Sequence, residues 1–299
     1  MSAIRFDGKT AIVTGAGHGL GRAHAMLLAS RGANVVVNDL GCSVDGTGAS
    51  VSAAQQVADE IKAAGGQAIA NSDSVTDRKK VKNIVDTAIN EFGGLHILVN
   101  NAGILRDRSF KNITDEDWDS VIDTHLNGTY NVTKAAWPHL REQAYGRIVV
   151  TASGSGMFGN FGQTNYGAAK AGLIGFAKAL GHEGAKYNIR VNILCPAAAS
   201  RMTQDLMPSA ILDKLKPESV SPIVGFLCSD EVDVTGGVFE AGAGAFAHSN
   251  WARSHGYKTS NADNIATLEE IRDHWKEITD LSSPDVLDNP AAAMGKFMQ

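Results

Sequence analysis

The sequence of this 299-residue chain predicts an α/β fold, a doubly wound parallel sheet of about seven strands with helices on both faces, plus a helical extension at the C-terminus. Three observations carry the prediction. Short apolar runs alternate along the chain with longer helical patterns, the βαβ rhythm of a parallel sheet. The runs are continuous and β-branched, as expected of strands covered on both faces. The first run leads directly into a glycine cluster, a strand-to-helix turn at the end of the sheet where such folds hold their ligands.

The elements follow in order. TAIVT, Thr10–Thr14, is the first strand, and the turn after it opens a helix over 19–31. Asn34–Asn38, with its three valines, is the second strand, followed by a helix near 50–64. Gln67–Asn71, a helix near 77–92 and the strand Leu95–Asn100 repeat the unit. Two long helical patterns, 115–143 and 164–187, precede the strands Arg147–Thr151 and Ile189–Cys195. A helix at 217–228 precedes the last strand, Gly237–Glu240. Residues 197–215, which carry Pro208, are either a mobile lid or a surface loop with one helix. After Gly244 the rhythm stops, so residues 1–245 read as one Rossmann-like domain and 246–299 as an extension. Within the extension Leu268, Ile271, Trp275 and Ile278 form an apolar stripe, the mark of a helix packed on the domain or on a partner subunit.

Composition narrows the function classes. The net charge of −5 is spread along the chain with no basic block, which argues against nucleic acid or an anionic membrane as partner. No apolar run reaches the roughly 18 residues of a membrane span, and the N-terminus lacks the build of a signal peptide. Cys42, Cys195 and Cys228 are odd in number and widely spaced, so neither a disulfide framework nor a metal site is indicated. The chain ends in Phe-Met-Gln, without a peroxisomal address of the Ser-Lys-Leu type, and a reducing cytoplasm is the expected compartment.

Gly15, Gly17, Gly19 and Gly21 occupy the turn TGAGHGLG, where glycine permits tight turning and lets a pyrophosphate approach the helix N-terminus. Leu20 stands where a strict G-x-G-x-x-G would place its last glycine, so the spacing is T-G-x-x-x-G-x-G. Asp39 ends the second strand, placed to accept hydrogen bonds from the adenosine ribose hydroxyls; alternatively it caps the following loop. Its charge would repel a 2′-phosphate and no Arg or Lys adjoins it, which favours NAD over NADP. Asp73, after the third strand, is placed for the adenine edge or is a turn residue. Asn100, Ala102 and Gly103, in NNAG, follow the fourth strand and can line a ligand crevice.

Tyr166 and Lys170 stand four apart on a helical pattern, which stacks them on one face. A phenol with a pKa of about 10 carries protons poorly at neutral pH, and a neighbouring ammonium favours its phenolate. With Ser153, 13 residues before Tyr166, these motifs in this order and spacing resemble the short-chain dehydrogenase/reductases. The likeness extends over essentially the whole chain to the dehydrogenase part of the peroxisomal type 2 multifunctional enzymes (17-beta-hydroxysteroid dehydrogenase type 4-like). It is carried by VVVNDLG, NNAGILRDRSF, FGNFGQTNYGAAK, SRMTQ and TLEEIRDHWKEITD. That resemblance implies NAD-dependent oxidation of a (3R)-hydroxyacyl-CoA, with bulky or steroid side chains among the candidate acyl groups. Oxidation of a secondary alcohol on a free steroid is the alternative.

The resemblance also implies roles. Tyr166 exchanges the substrate's hydroxyl proton, Lys170 lowers the tyrosine pKa and meets the nicotinamide ribose, and Ser153 hydrogen-bonds the substrate oxygen. His125 replaces the asparagine that many relatives place in a proton relay; it either relays protons or only packs and hydrogen-bonds. Thr203 is placed for the nicotinamide amide or a phosphate, and Gln163 for orienting substrate. Arg106 and Arg108 either meet CoA phosphates or make ordinary ion pairs. Relatives associate through their long helices, so a homodimer or homotetramer is expected through 115–143 and 164–187. A nucleotide-binding module without chemistry would lack Ser, Tyr or Lys from this set, and all three are present.

Overall fold

The structure, a computed structural model, describes residues 2–48, 52–198, 214–287 and 289–297. The chain divides into two compact units, one up to His248 and one from Ser249 onward. The first is built on an eight-stranded sheet. Its strands are β1 (Thr10–Thr14), β2 (Asn34–Asn38), β3 (Gln67–Asn71), β4 (Ile97–Asn100), β5 (Gly146–Thr151), β6 (Ile189–Ala197), β7 (Val238–Gly242) and β8 (Ala245–Ser249), in the order β3-β2-β1-β4-β5-β6-β7-β8. β1 to β7 pair in parallel. The order reverses between β1 and β4, which opens a crevice at the carboxyl ends of these strands.

Alternate residues of each strand supply two separate apolar layers. Val13, Val37, Val99 and Val149 face one, with α1 (Gly19–Ser30) and α2 (Ser52–Ala63) packed over it through Leu28, Val57 and Ile61. Ile12, Val36, Leu98 and Ile148 face the other, beneath α3 (Val81–Phe92), α5 (Gly128–Glu142) and α7 (Thr164–Gly184), which contribute Ile84, Leu140 and Leu173. Both faces of the central strands are dry, so these strands read as unbroken apolar runs.

Three departures from the sequence reading have physical causes. The pattern over 115–143 is not one helix: α4 (Asp115–Ile122), started by a Thr114/Asp117 capping box, passes through a π-turn at Asp123–Asn127 before α5 begins. The extra residue in that turn keeps the helical periodicity nearly intact while turning His125 inward. An eighth strand follows β7, because Ala243 (φ 50°) and Gly244 (φ 79°) form a two-residue turn of the kind that closes hairpins. That strand spans position 245, where the sequence rhythm alone placed the domain boundary. A short α6 (Gly154–Phe158) also stands between β5 and α7, and α8 (Ser221–Leu227) follows a 3-10 turn at Pro217–Ser219.

The second unit pairs β9 (Ala252–Arg253) with β10 (Asp285–Val286) in antiparallel fashion. Its stripe lies on two helices, α9 (Leu268–Asp273) and α10 (Trp275–Thr279), broken at His274; α11 (Pro290–Phe297) ends the described chain. Leu268, Ile271 and Trp275 are exposed. Among the described residues, no helix is long and apolar enough to cross a membrane, and no cluster of three His, Cys, Asp or Glu could hold a metal ion.

Candidate active site

A cleft of about 670 Å3 lies over the carboxyl ends of the strands, between the glycine turn and the start of α7. Its floor is set by backbone contacts that tolerate no side chain. A Cβ on Gly21 would stand 2.2 Å from the Gly15 carbonyl oxygen, so the first turn of α1 lies directly on the loop that feeds it. Gly19 takes φ +51°, and the space where its side chain would be is open. His18 at the N-cap makes no side-chain capping bond, which leaves the first amides of α1 available to an anion. Leu20 and Gly15 line the cleft with Gly19, whereas Gly17 and Gly21 shape it from behind.

Asp39 also lines the cleft. Its Oδ2 accepts the Gly17 N–H at 2.7 Å and its Oδ1 the Gly41 N–H at 2.7 Å, so it braces the glycine turn and its own loop together. A carboxylate has about four lone-pair sites, which leaves acceptor capacity for ribose hydroxyls. Asp73 is held at the rim by Asn71 Nδ2 (3.0 Å) and Asn83 Nδ2 (2.5 Å).

In NNAG the geometry corrects one position. Asn100 is buried and donates to Thr133 Oγ1 (3.0 Å) on α5, away from the cleft. Asn101 is the asparagine that reaches the site: its Nδ2 donates to the Thr14 and Gly15 carbonyls, each at 3.1 Å, and fixes the glycine turn. Strand alternation sends neighbouring side chains to opposite faces, so the strand register chooses between the two. Ala102 and Gly103 line the cleft as expected.

Ser153 ends the β5 segment and caps α6; its Oγ accepts the Ser155 N–H at 3.1 Å. Tyr166 stands in the first turn of α7, and Lys170 one turn later, with Nζ 5.4 Å from the tyrosine ring centre. The buried Lys170 ammonium donates to the Thr151 carbonyl at 2.5 Å. Burial governs the proton affinities of this pair. It pushes the Tyr166 phenol up to about 12, against the pull of a hydrogen bond with Ser153, and the charge of Asp107 adds to the rise. Burial also brings Lys170 down to about 7. Burial is thus the dominant influence on the proton affinity of both side chains.

His125 is buried, with its ring edge-on to Tyr166 at 5.2 Å between centres. Burial first, and the Lys170 charge second, hold its pKa well below the ordinary value, so it is neutral. Its Nε2 lies 2.8 Å from the Ile104 carbonyl and 3.1 Å from the Ile104 N–H, while Nδ1 has no partner among the described residues. A Cβ on Gly103 would stand 2.3 Å from the His125 ring, so that glycine is matched to the histidine.

The remaining expectations divide. Gln163 lies in the cleft but its amide is engaged: Nε2 donates to Asp107 Oδ2 (2.7 Å), and Oε1 accepts from Ser155 Oγ (2.8 Å) and Asn160 Nδ2 (3.1 Å). It braces the site instead of presenting a free donor to substrate. Arg106 pairs with Glu116 (2.8 Å) and donates to the Asp45 carbonyl (3.0 Å), and Arg108 pairs with Asp117 (2.9 Å). Both guanidiniums are in ion pairs, and the phosphate-clamp alternative finds no support. Thr203 lies outside the described residues. Sequence reasoning missed Asp107, Ser155 and the loop 40–47, whose Val44 carbonyl accepts the Leu105 N–H at 2.9 Å. Asp107 lies within the quoted ILRDRSF, hidden between the two arginines that drew attention.

A strand-to-helix glycine turn, a carboxylate closing the second strand, and a Ser-Tyr-Lys set over the sheet's switch point define a dinucleotide-dependent oxidoreductase of CH–OH groups. The short chain dehydrogenase family matches residues 9–209, and the chain belongs to it. It is 51% identical over 288 residues to a peroxisomal hydratase-dehydrogenase-epimerase of Neurospora crassa, covering 96% of this chain and 32% of that protein. The full-length peroxisomal multifunctional enzyme type 2 of Drosophila melanogaster superposes with a TM-score of 0.83 at 39% identity, over 99% of this chain and 49% of that one. A 7α-hydroxysteroid dehydrogenase, solved with NADH and 7-oxo glycochenodeoxycholic acid, superposes with a TM-score of 0.73 at 28% identity, over 81% of this chain and 95% of that one. The chain thus spans only a third to a half of the multifunctional proteins it resembles.

Proposed function

We propose that the chain uses NAD to oxidise a (3R)-hydroxyacyl-CoA to the 3-ketoacyl-CoA. The observation that carries the reading is the Ser153–Tyr166–Lys170 set lining the same cleft as the glycine turn and Asp39. The uncapped α1 amides and open space at Gly19 fit a pyrophosphate, and Asp39 fits the two hydroxyls of an unphosphorylated ribose. When bound, the nicotinamide supplies the acceptor for the hydride leaving the carbinol carbon. Tyr166 Oη takes the hydroxyl proton as the C–O bond becomes a carbonyl. Ser153 Oγ accepts the Ser155 N–H, and its O–H, directed at the tyrosine oxygen, is placed to donate to a substrate oxygen bound there. Lys170, when protonated, favours the phenolate form of Tyr166.

The acyl-CoA substrate is supported by the extent of the likeness to the hydratase-dehydrogenase-epimerase and type 2 multifunctional proteins. The hydroxysteroid dehydrogenase neighbour supports the second reading, oxidation of a free steroid alcohol. Assembly into a dimer or tetramer through α4, α5 and α7 belongs to the same proposal, supported by the exposed Trp118 and Tyr130 on the first two. So does a cytoplasmic setting, in keeping with the buried Cys195 and Cys228, which stand as thiols outside any disulfide. Initial rates with (3R)- and (3S)-hydroxyacyl-CoA and free hydroxysteroids, each with NAD and NADP, test the reading. Turnover of the (3R) thioester with NAD is expected, and Tyr166→Phe should lower kcat by about 10²–10⁴-fold. Turnover confined to free steroids would refute the substrate assignment.

A further inference from the structure

Asp107 is a solvent-exposed carboxylate at the edge of the reacting groups that the chemistry above leaves without a task. It stands in the loop after β4, and the backbone on both sides of it is tied to the entry of α7. The Arg108 N–H donates to the Gly162 carbonyl at 2.9 Å, and Asn165 Nδ2 donates to the Arg106 carbonyl at 3.1 Å. Asp107 therefore has little freedom to swing away from the helix that carries Tyr166.

From Asp107 a continuous polar chain runs to the catalytic serine. Gln163 Nε2 donates to Asp107 Oδ2 at 2.7 Å, which fixes which way the glutamine amide faces. Its Oε1 then accepts the Ser155 hydroxyl at 2.8 Å, and the Ser155 N–H donates to Ser153 Oγ at 3.1 Å. We propose that Asp107 is a positioning residue for the Ser153–Tyr166 pair, orienting the Ser153 hydroxyl through Gln163 and Ser155 and opposing, with its negative charge, that of the phenolate. The proposal rests on the reading of Tyr166 as the proton-transfer group.

Among the groups whose charge bears on Tyr166, Asp107, held against Gln163 three residues before the tyrosine, is the carboxylate. His125, from the π-turn, is held neutral by burial, and the Cys195 thiol on β6 is pushed up to about 11. Lys170, on α7 itself, is brought down to about 7 by burial and Ser153 carries no charge. A carboxylate in this place raises the cost of the phenolate and so favours the protonated form of Tyr166.

The test is the pH profile of kcat/KM for NAD-dependent oxidation in wild type, Asp107→Asn, Asp107→Glu and Tyr166→Phe. Asparagine can still accept from Gln163 but carries no charge, so it separates electrostatics from hydrogen bonding. The acid limb of Asp107→Asn is expected to move to lower pH by about 0.5–1 unit, and Asp107→Glu should restore the wild-type position. If Asp107→Asn does not fold, Asp107→Ser is read for the same shift. An acid limb that stays in place while Tyr166→Phe is inactive overturns the role of Asp107 and leaves the proton-transfer reading standing. A Tyr166→Phe variant as active as wild type overturns both.

Discussion

Lys170→Met should make the protein more stable and inactive at once. Lys170 is 3% exposed, and burial brings its pKa from 10.5 to about 7. The unfolded chain therefore binds more protons than the folded one between those two values, and stability rises with pH across that window. Below about pH 7 the buried ammonium costs the fold roughly 4–5 kcal/mol relative to a neutral side chain. Methionine fills much the same volume without that cost, but strands the Thr151 carbonyl, a loss of about 1–3 kcal/mol. A net gain of about 2–3 kcal/mol at pH 7 remains. Urea unfolding of cofactor-free protein at pH 7 and pH 10 measures it. The variant should lead at pH 7 and fall level with or below wild type by pH 10, where the wild-type lysine no longer has to choose between charge and burial. A variant no more stable than wild type at pH 7, or a gap that does not narrow, would refute the account of Lys170 as a group held at the expense of the fold.

Two further outcomes follow from the same geometry. Gly21→Ala would press a methyl against the Gly15 carbonyl and Asn101 Nδ2, at 2.2 and 2.6 Å before relaxation; overpacking of about 1–3 kcal/mol is expected, with weakened NAD binding in a fluorescence titration. The buried His24, hydrogen-bonded to Ser221 Oγ at 2.8 Å, is brought down by burial from 6.5 to about 3, so stability drains as pH falls through that range. Its share between pH 6.5 and 4.5 is roughly 2–3 kcal/mol, and His24→Asn should flatten the acid limb of unfolding; a variant losing as much stability as wild type would contradict this.

Much of the architecture was legible because the central strands are dry on both faces. Each of the seven parallel strands appeared as an apolar run, with ends displaced by at most a few residues. The eighth was not, because β8 is an exposed edge strand whose Ala-Phe-Ala run is too short to stand out, and the Ala243-Gly244 turn reveals it. The π-turn was invisible for a related reason: one inserted residue barely disturbs the helical period, yet it decides which way His125 points.

The sequence by itself determined the fold class, the place of the glycine turn and the stacking of Tyr166 and Lys170 on one helix face, because spacing along strands and helices is a local property; Ser153 joined them only through the family resemblance. The tertiary structure alone decided between Asn100 and Asn101, paired Arg106 and Arg108 with Glu116 and Asp117, and engaged Gln163 with Asp107. It also reversed the expected balance of proton affinity between Tyr166 and Lys170. Those outcomes depend on which groups meet across the cleft and how much water they lose, and neither distance nor desolvation is written in the order of residues.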